Sequence, residues 1–432
     1  MNDKKQVFVV GLDDFNLKKL QRLPEAGECD FLAAIKYDEM RGVEFYDMKK
    51  LIDTAFSRIE AHGKIDAIVT YYDFPGTNLV PIIADHYRLK APSLESVLKC
   101  EHKYWSRLEQ NKVIPRSVPM FAAFDPFDEK AYQKIEMIPP FWIKPIKSFR
   151  SFLAYRINSE YQFNGYMTEV QENIEYMAEP FNYIFQHYDL PHEFAQMKET
   201  MIAESPITGH QCTVEGYVYD GEVVVYGIVD SVREEDRSSF ARYEYPSSLP
   251  QEIQFRMADL ARRSIIQTGL NNSAFNIEFF YNSTVNQVFL LEINPRISQA
   301  HTDIFEKVHG ISHHSIMLNL ALGRRPKALE YKGRHRIAGN FMLRLYDSGR
   351  VVRVPSREEV EKLQEQYPEM TLKLHVKEGM HLSELQGQDS YSFELANLFL
   401  GARNQEELVE KYDDCMNHLN FEIEFDEVPQ VH

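Results

Sequence analysis

The chain is poor in cysteine and in positive charge, and it lacks glycine at two places where glycine would be diagnostic. Its four cysteines, Cys29, Cys100, Cys212 and Cys415, lie far apart in 432 residues. They form neither a zinc nor a redox spacing, which excludes a disulfide scaffold and leaves reduced thiols, the state expected in the cytoplasm. With 48 Lys and Arg against 65 Asp and Glu the net charge is -17. That balance opposes non-specific attraction to nucleic acid or an anionic membrane, so an anionic ligand needs a local basic pocket. No apolar run is long enough to span a bilayer, and the one in "MNDKKQVFVVGLDD" is too short for a signal peptide. Gly11 stands alone after that run, without the glycine spacing of a dinucleotide site.

What is present is a globular composition, 44% hydrophobic and 26% charged, at a length that suits about three domains. "QVFVVGLDDFN" and "IDAIVTYYDFPGTNLVPIIADHY" each read as strand, loop and helix, which suggests a small parallel α/β domain at the start. "APSLESVLKCEHKYWSRLEQNKVIPRSVPMF" reads as a linker and one helix, capped by Ser93 and ended before Pro115. Two apolar strands around a basic loop follow in "PPFWIKPIKSFRSFLAYRI". Three more come in "MIAESPITGHQCTVEGYVYDGEVVVYGIVD", with Asp220-Gly221 as a hairpin turn. "VDSVREEDRSSFARYEYPSSLP", which bears Arg233, Arg237 and Arg242, reads as a long polar connection of the kind that forms lids or binding loops. A helix over roughly 256 to 268 precedes the next hairpin, and beyond Gly323 a basic linker leads to a last α+β domain from Ile337 to about Ile423.

The segment "FNIEFFYNSTVNQVFLLEINPR", residues 275 to 296, pairs two apolar strands across a polar turn. Centred on Val285, it puts Glu278 opposite Glu292 and Asn276 opposite Asn294, all on one face. Facing carboxylates repel and are costly when half-buried, so a cation belongs between them. An oxygen-only donor set suits Mg2+, which completes its octahedron with water and nucleotide phosphates. A slip of one residue would separate the two glutamates. An edge hairpin with two solvated glutamates is the alternative.

Lys103 in "EHKYWSR", Lys144 in "WIKP", Glu204 in "AESPITG", Glu278 in "NIEFF" and the following "EINPR" occur in an order that resembles the ATP-grasp superfamily of carboxylate-amine and carboxylate-thiol ligases. The likeness covers most of the chain and is similar to L-amino acid ligases and, at its C-terminal end, to biotin carboxylase. It implies an α/β and α+β architecture: a Rossmann-like pre-ATP-grasp domain over 1–100, a two-lobed ATP-grasp domain over 101–330 with its small lobe at about 115–203, and a biotin-carboxylase-like α+β domain over 331–432. It implies ATP, with Mg2+ or Mn2+ held by Glu278, Glu292 and Asn294. Lys103 and Lys144 would contact the phosphates, and Arg296 would join Lys144 at the transferring phosphoryl group. The alternative for Arg296 is an ion pair with Glu292. The backbone from Glu204 to Ile207 would read adenine, and Gln211, with Glu215 as its rival, would hold the ribose hydroxyls. The implied reaction joins a small carboxylate, with amino acids as the candidate class, to an amine through an acyl phosphate, in an enzyme whose relatives are often homodimers.

Three departures from the family pattern bear on function. The phosphate-covering loop is usually glycine-rich, because backbone amides must approach closely. Here "KPIKSFRSFLAYR" has no glycine between Lys144 and Arg156, so Lys147, Arg150, Ser148 and Ser151 would have to act by side chain. The same loop keeps open a nucleotide-binding sensor or partner subunit without turnover. Second, Gln211 stands where the family often has an acid. Third, "EINPRISQAH" is similar to biotin carboxylases through His301, yet Ala300 replaces the glutamate they carry, which disfavours bicarbonate chemistry and leaves a purine-biosynthetic or carboxylating relative as the lesser alternative. His301 is a substrate contact or a structural histidine. Arg233 either clamps a substrate carboxylate or is solvated beside Glu234, Glu235 and Asp236.

Overall fold

The apolar run Lys5–Leu12 forms β1, and Cys29–Lys36 (β2) and Ala67–Thr70 (β3) flank it in parallel, in the order β2-β1-β3. Parallel strands are covered on both faces, which is why β1 reads as a continuous apolar stretch rather than an alternating one. The sequence displayed two of these strands. β2 escaped notice because Asp30 and two alanines dilute its apolar signal.

The computed structural model describes residues 4–40, 46–148, 152–234, 239–385 and 392–426. These fall into two compact units, the first made of Met1–Tyr226, Leu249–Gln299 and His314–Lys327. Within it, Phe121–Phe124 (β4), Phe141–Pro145 (β5), Tyr155–Ile157 (β6) and Met201–Glu204 (β7) form an antiparallel sheet ordered β4-β7-β5-β6. Its core joins Phe141, Ile143 and Ile157 to Phe163 and Val170 of the helix Glu160–Asn173. A second helix, Glu175–His187, follows.

His210–Tyr219 (β8) turns at Asp220-Gly221, both with positive φ (46° and 81°), into Glu222–Arg233 (β9), which starts in the first unit and continues in the second. β8 pairs antiparallel with Ser273–Asn282 (β11), and β11 with Gln287–Asn294 (β12). The single helix expected after Ser93 is in fact two, Leu94–Glu101 and Lys103–Val113. His102 breaks it: its backbone is extended and its Nδ1 accepts the Trp105 amide at 3.2 Å, a side-chain cap that starts the second helix at Lys103.

In the second unit, made of Gly227–Ser248, Ala300–His313 and Ala328–His432, the rest of β9 pairs with Phe240–Tyr245 (β10). Ile337–Leu345 (β13), Phe393–Ala402 (β16) and Thr371–Leu374 (β15) extend that sheet. Gly349–Arg353 (β14) pairs with Glu422–Phe425 (β17). Among its described residues the expected polar connection is therefore mostly strand: Ala241, Tyr243 and Tyr245 alternate with Arg242 and Glu244, the spacing that a sheet needs. Arg237, Glu235 and Asp236 lie outside the described residues. Among the described residues, no helix is long and apolar enough to cross a membrane.

Candidate active site

The hairpin of β11 and β12 pairs Asn276 with Asn294 and Glu278 with Glu292, with a register shift immediately after Glu278. On its other side β11 lays Asn276 against Glu215 and Glu278 against Thr213. Paired residues and their neighbours two positions away share a sheet face, so Gln211, Thr213 and Glu215 join the asparagines and glutamates there. Gln211 donates Nε2 to Glu278 Oε2 at 2.8 Å. Asn294 donates Nδ2 to Asn276 Oδ1 at 3.1 Å, and Asn276 donates its own amide to the Arg296 carbonyl at 3.0 Å. This relay turns the Asn294 carbonyl oxygen away from Asn276.

Glu292 and Asn294 line a cleft together with Lys103, Lys144 and Ser148. Glu292 keeps 38% of its side chain exposed, and Lys103 Nζ lies 3.8 Å from its Oε2. Lys103 also donates to the Ser148 carbonyl at 2.7 Å. Burial pushes the Lys103 pKa down, against the pull of Glu292. Lys144 Nζ sits 2.5 Å from Glu204 Oε2, and Arg107 Nε sits 2.5 Å from Glu204 Oε1. Burial alone would raise the Glu204 carboxyl, but the two cations hold it at about 2. Arg107 further donates to Gln110 Oε1 and the Leu291 carbonyl, both at 2.6 Å, so it ties its helix to β12.

Arg296 pairs with Asp73 rather than with Glu292, the partner weighed from the sequence, and donates to the Ile297 carbonyl at 3.3 Å. Burial works against its charge, yet Asp73, with Glu215 and Glu292 behind it, more than compensates and the pKa rises. The reason is topological: Asp73 follows β3 and reaches the segment beyond β12, whereas Glu292 faces Lys103.

Lys147, which was to meet phosphate, is buried: Nζ donates to Asn182 Oδ1 at 2.9 Å and lies 5.1 and 5.8 Å from the Phe185 and Phe181 ring centroids. Burial pushes its pKa down to about 7. Arg150 and Ser151 lie outside the described residues. Gln211 and Glu215, assigned to ribose, are buried, with bonds to Glu278 and from the Tyr226 hydroxyl (3.3 Å) respectively. Ile207 lies in the irregular segment after β7. His301 and Arg233 belong to the second unit: His301 is buried edge-on to Tyr243, and exposed Arg233 covers the Phe240 ring at 4.5 Å.

Residues 137–303 match the family model of the ATP-grasp domain. The chain carries an ATP-grasp domain. Its solved likenesses include the L-amino acid ligase of Bacillus licheniformis, at 15% identity and a TM-score of 0.73, covering 99% of this chain and 100% of that one. Biotin carboxylase of Campylobacter jejuni, solved as a β-γ-ATP complex, follows at 15% identity and 0.66, covering 97% and 92%. Carboxyaminoimidazole ribonucleotide synthase of Aspergillus clavatus, complexed with ATP, gives 14% identity and 0.64, covering 96% and 98%. At such identities the likeness establishes the fold. No curated protein matches the chain by sequence.

Three charged residues that line the cleft escaped sequence reasoning: Asp73, Glu101 and Arg107. Signals for two of them existed. Asp73 sits just past the carboxyl end of a parallel strand, where ligands gather in such sheets, and Arg107 lies one helical turn beyond Lys103 on the same face.

Proposed function

We propose that this protein is an ATP-dependent ligase that activates a small carboxylate, with amino acids the leading class, as an acyl phosphate and joins it to an amine. The observation that carries this reading is the pairing of Glu278 with Glu292 across one sheet face, with Lys103 beside Glu292 at the cleft. Two facing carboxylates and the turned-out Asn294 oxygen make an all-oxygen donor set that fits Mg2+ or Mn2+. Glu278, Glu292 and Asn294 would hold the ion, which when bound neutralises phosphate charge.

Lys103 and Lys144 supply ammonium groups to the phosphates, with Lys103 exchanging the Ser148 carbonyl for a phosphate oxygen. The backbone from Glu204 to Ile207 reads adenine. Gln211 and Glu215 hold the metal-bearing face rather than the ribose. The substrate carboxylate attacks the γ-phosphorus, and the work is positioning and charge stabilisation. Arg296, aimed by Asp73, offers a planar fork to the phosphoryl group as it becomes an acyl phosphate. The expected boundaries at about 100 and 330 belong to this reading, with the ATP-grasp domain between them, as do a cytoplasmic setting and a homodimer.

A nucleotide sensor without turnover is the second reading, favoured by the buried Lys147 and the glycine-free loop. Purified protein with ATP, Mg2+ and pooled amino acids should release phosphate only when a carboxylate is present. Glu292→Gln should lose more than about 100-fold of that release with its circular dichroism intact. Tight ATP binding with no release under any pool would establish the sensor instead.

A further inference from the structure

Glu101 ends the helix Leu94–Glu101 and lines the same cleft as Lys103, Lys144 and Glu292. Its Oε2 accepts the Asn78 side-chain amide at 2.5 Å, whereas its buried Oε1 has no partner at hydrogen-bonding distance and angle, the Thr77 side chain being the next donor to the carboxyl. A buried acceptor left unpaired is costly and rare, and it calls for a donor that a ligand would bring. Around it, Thr77 and Asn78 on the helix Gly76–Tyr87 are neutral donors, Asp73 is the nearby anion and Arg296 the nearby cation. The guanidinium is already engaged by Asp73. Burial first, and the Asp73 charge second, push the Glu101 carboxyl up to about 7. Near neutrality such a group is present in both protonation states, as a proton-transfer catalyst should be. The other carboxylates in and beside the cleft are poorly placed to move a proton, since Glu292 would face the metal, Asp73 is bound by Arg296, and Glu204 is held between two cations.

We propose that Glu101 is the general base for the amine substrate, its unpartnered Oε1 receiving a proton from the ammonium group. The assignment rests on the ligase reading. The ammonium gives one proton to the Glu101 carboxylate, and the freed lone pair attacks the acyl carbon. The bond from that carbon to the phosphate oxygen breaks, and phosphate leaves with the electron pair. The new nitrogen then loses a second proton to the departing phosphate, which leaves a neutral amide.

Hydroxylamine separates the two half-reactions, because it is uncharged at neutral pH and intercepts an acyl phosphate without help from a base. With ATP, Mg2+ and the active carboxylate, Glu101→Gln should keep most of its hydroxamate formation. Its amide formation with the amine should fall by about 100- to 10,000-fold, and Glu101→Asp should recover part of the loss. Infrared difference titration of the parent against Glu101→Gln gives a readout independent of turnover: a protonated carboxyl band that fades with a midpoint near 7. Unchanged amide formation in Glu101→Gln, or an equal fall of amide and hydroxamate, overturns the assignment while leaving the ligase reading intact. Absence of hydroxamate from the parent with every carboxylate brings down both.

Discussion

At Glu204 two cations share one buried carboxylate, and the arrangement holds only while all three members are present. Glu204→Gln keeps the shape but leaves Arg107 and Lys144 without their counter-charge. Breaking a buried pair in this way costs about 3–5 kcal/mol, to be read as a lower urea midpoint at unchanged slope. Lys147 is the opposite case, a lysine held among aromatic rings and bound to an amide oxygen rather than a carboxylate. Its pKa is lowered to about 7, while the unfolded chain protonates it at ~10.4. As pH falls from ~10 towards 7 the unfolded state binds the proton first, so folded stability declines through that window. Lys147→Met removes this dependence. Its stability relative to the parent should therefore rise as pH falls from about 10 to about 7, whatever the loss of the Asn182 bond costs. A constant gap across that range would mean that Lys147 titrates normally and is not sequestered from the cleft.

The elements that were legible are those whose pattern is local. The Asp220-Gly221 hairpin follows from its turn chemistry; the facing of Glu278 and Glu292, expected from a turn centred on Val285, holds because the register shift after Glu278 offsets a turn that pairs Asn282 with Gln287, one position off that count. What escaped depends on contacts distant in sequence or on single-residue irregularities. The register shift after Glu278 leaves no mark in composition, the helix break rests on one histidine acting as a cap, and the Arg296 ion pair joins positions 73 and 296. The last residues of β9 and all of β10 read as a polar connection because their charges outweigh the alternation of Ala241, Tyr243 and Tyr245. Gly216 shows how closely the sheet is fitted on the face opposite the site. It lies opposite Phe275 in the pairing of β8 with β11, and an added Cβ would meet the Phe275 ring at 2.2 Å and the Val224 carbonyl at 2.7 Å. The neighbouring Glu215 pairs with Asn276, so a displaced β8 disturbs the face that carries Glu278 and Glu292 as well as the core. Gly216→Ala should cost about 1–3 kcal/mol in urea unfolding and weaken Mg2+-dependent ATP binding by calorimetry. Loss of stability with unchanged ATP binding would show that the two faces of the sheet are uncoupled.

For the whole molecule, acid stability is set by groups that pull in opposite directions. His102 is held down to about 3, and His309 and His335 are also lowered, in each case mainly by burial. Their contribution is complete above ~6.5, where the unfolded histidine is neutral, and is lost as pH falls and the unfolded chain takes up protons. Glu204, held at about 2, adds a second loss below ~4.3. Glu101 acts the other way. Its folded pKa is raised to about 7, so its contribution is complete below ~4.3 and disappears as pH rises through 7. Between those values the folded state holds a proton that the unfolded state has released, which offsets part of the histidine loss. Unfolding free energy should therefore decline from pH 7 to pH 5 in the parent and decline more steeply in Glu101→Gln, while above pH 8 the variant is the more stable of the two. Urea titrations at pH 5, 6, 7 and 8 measure both slopes. Parallel slopes would mean that Glu101 carries no proton at neutrality, and with that the physical basis for its role as a base would be gone.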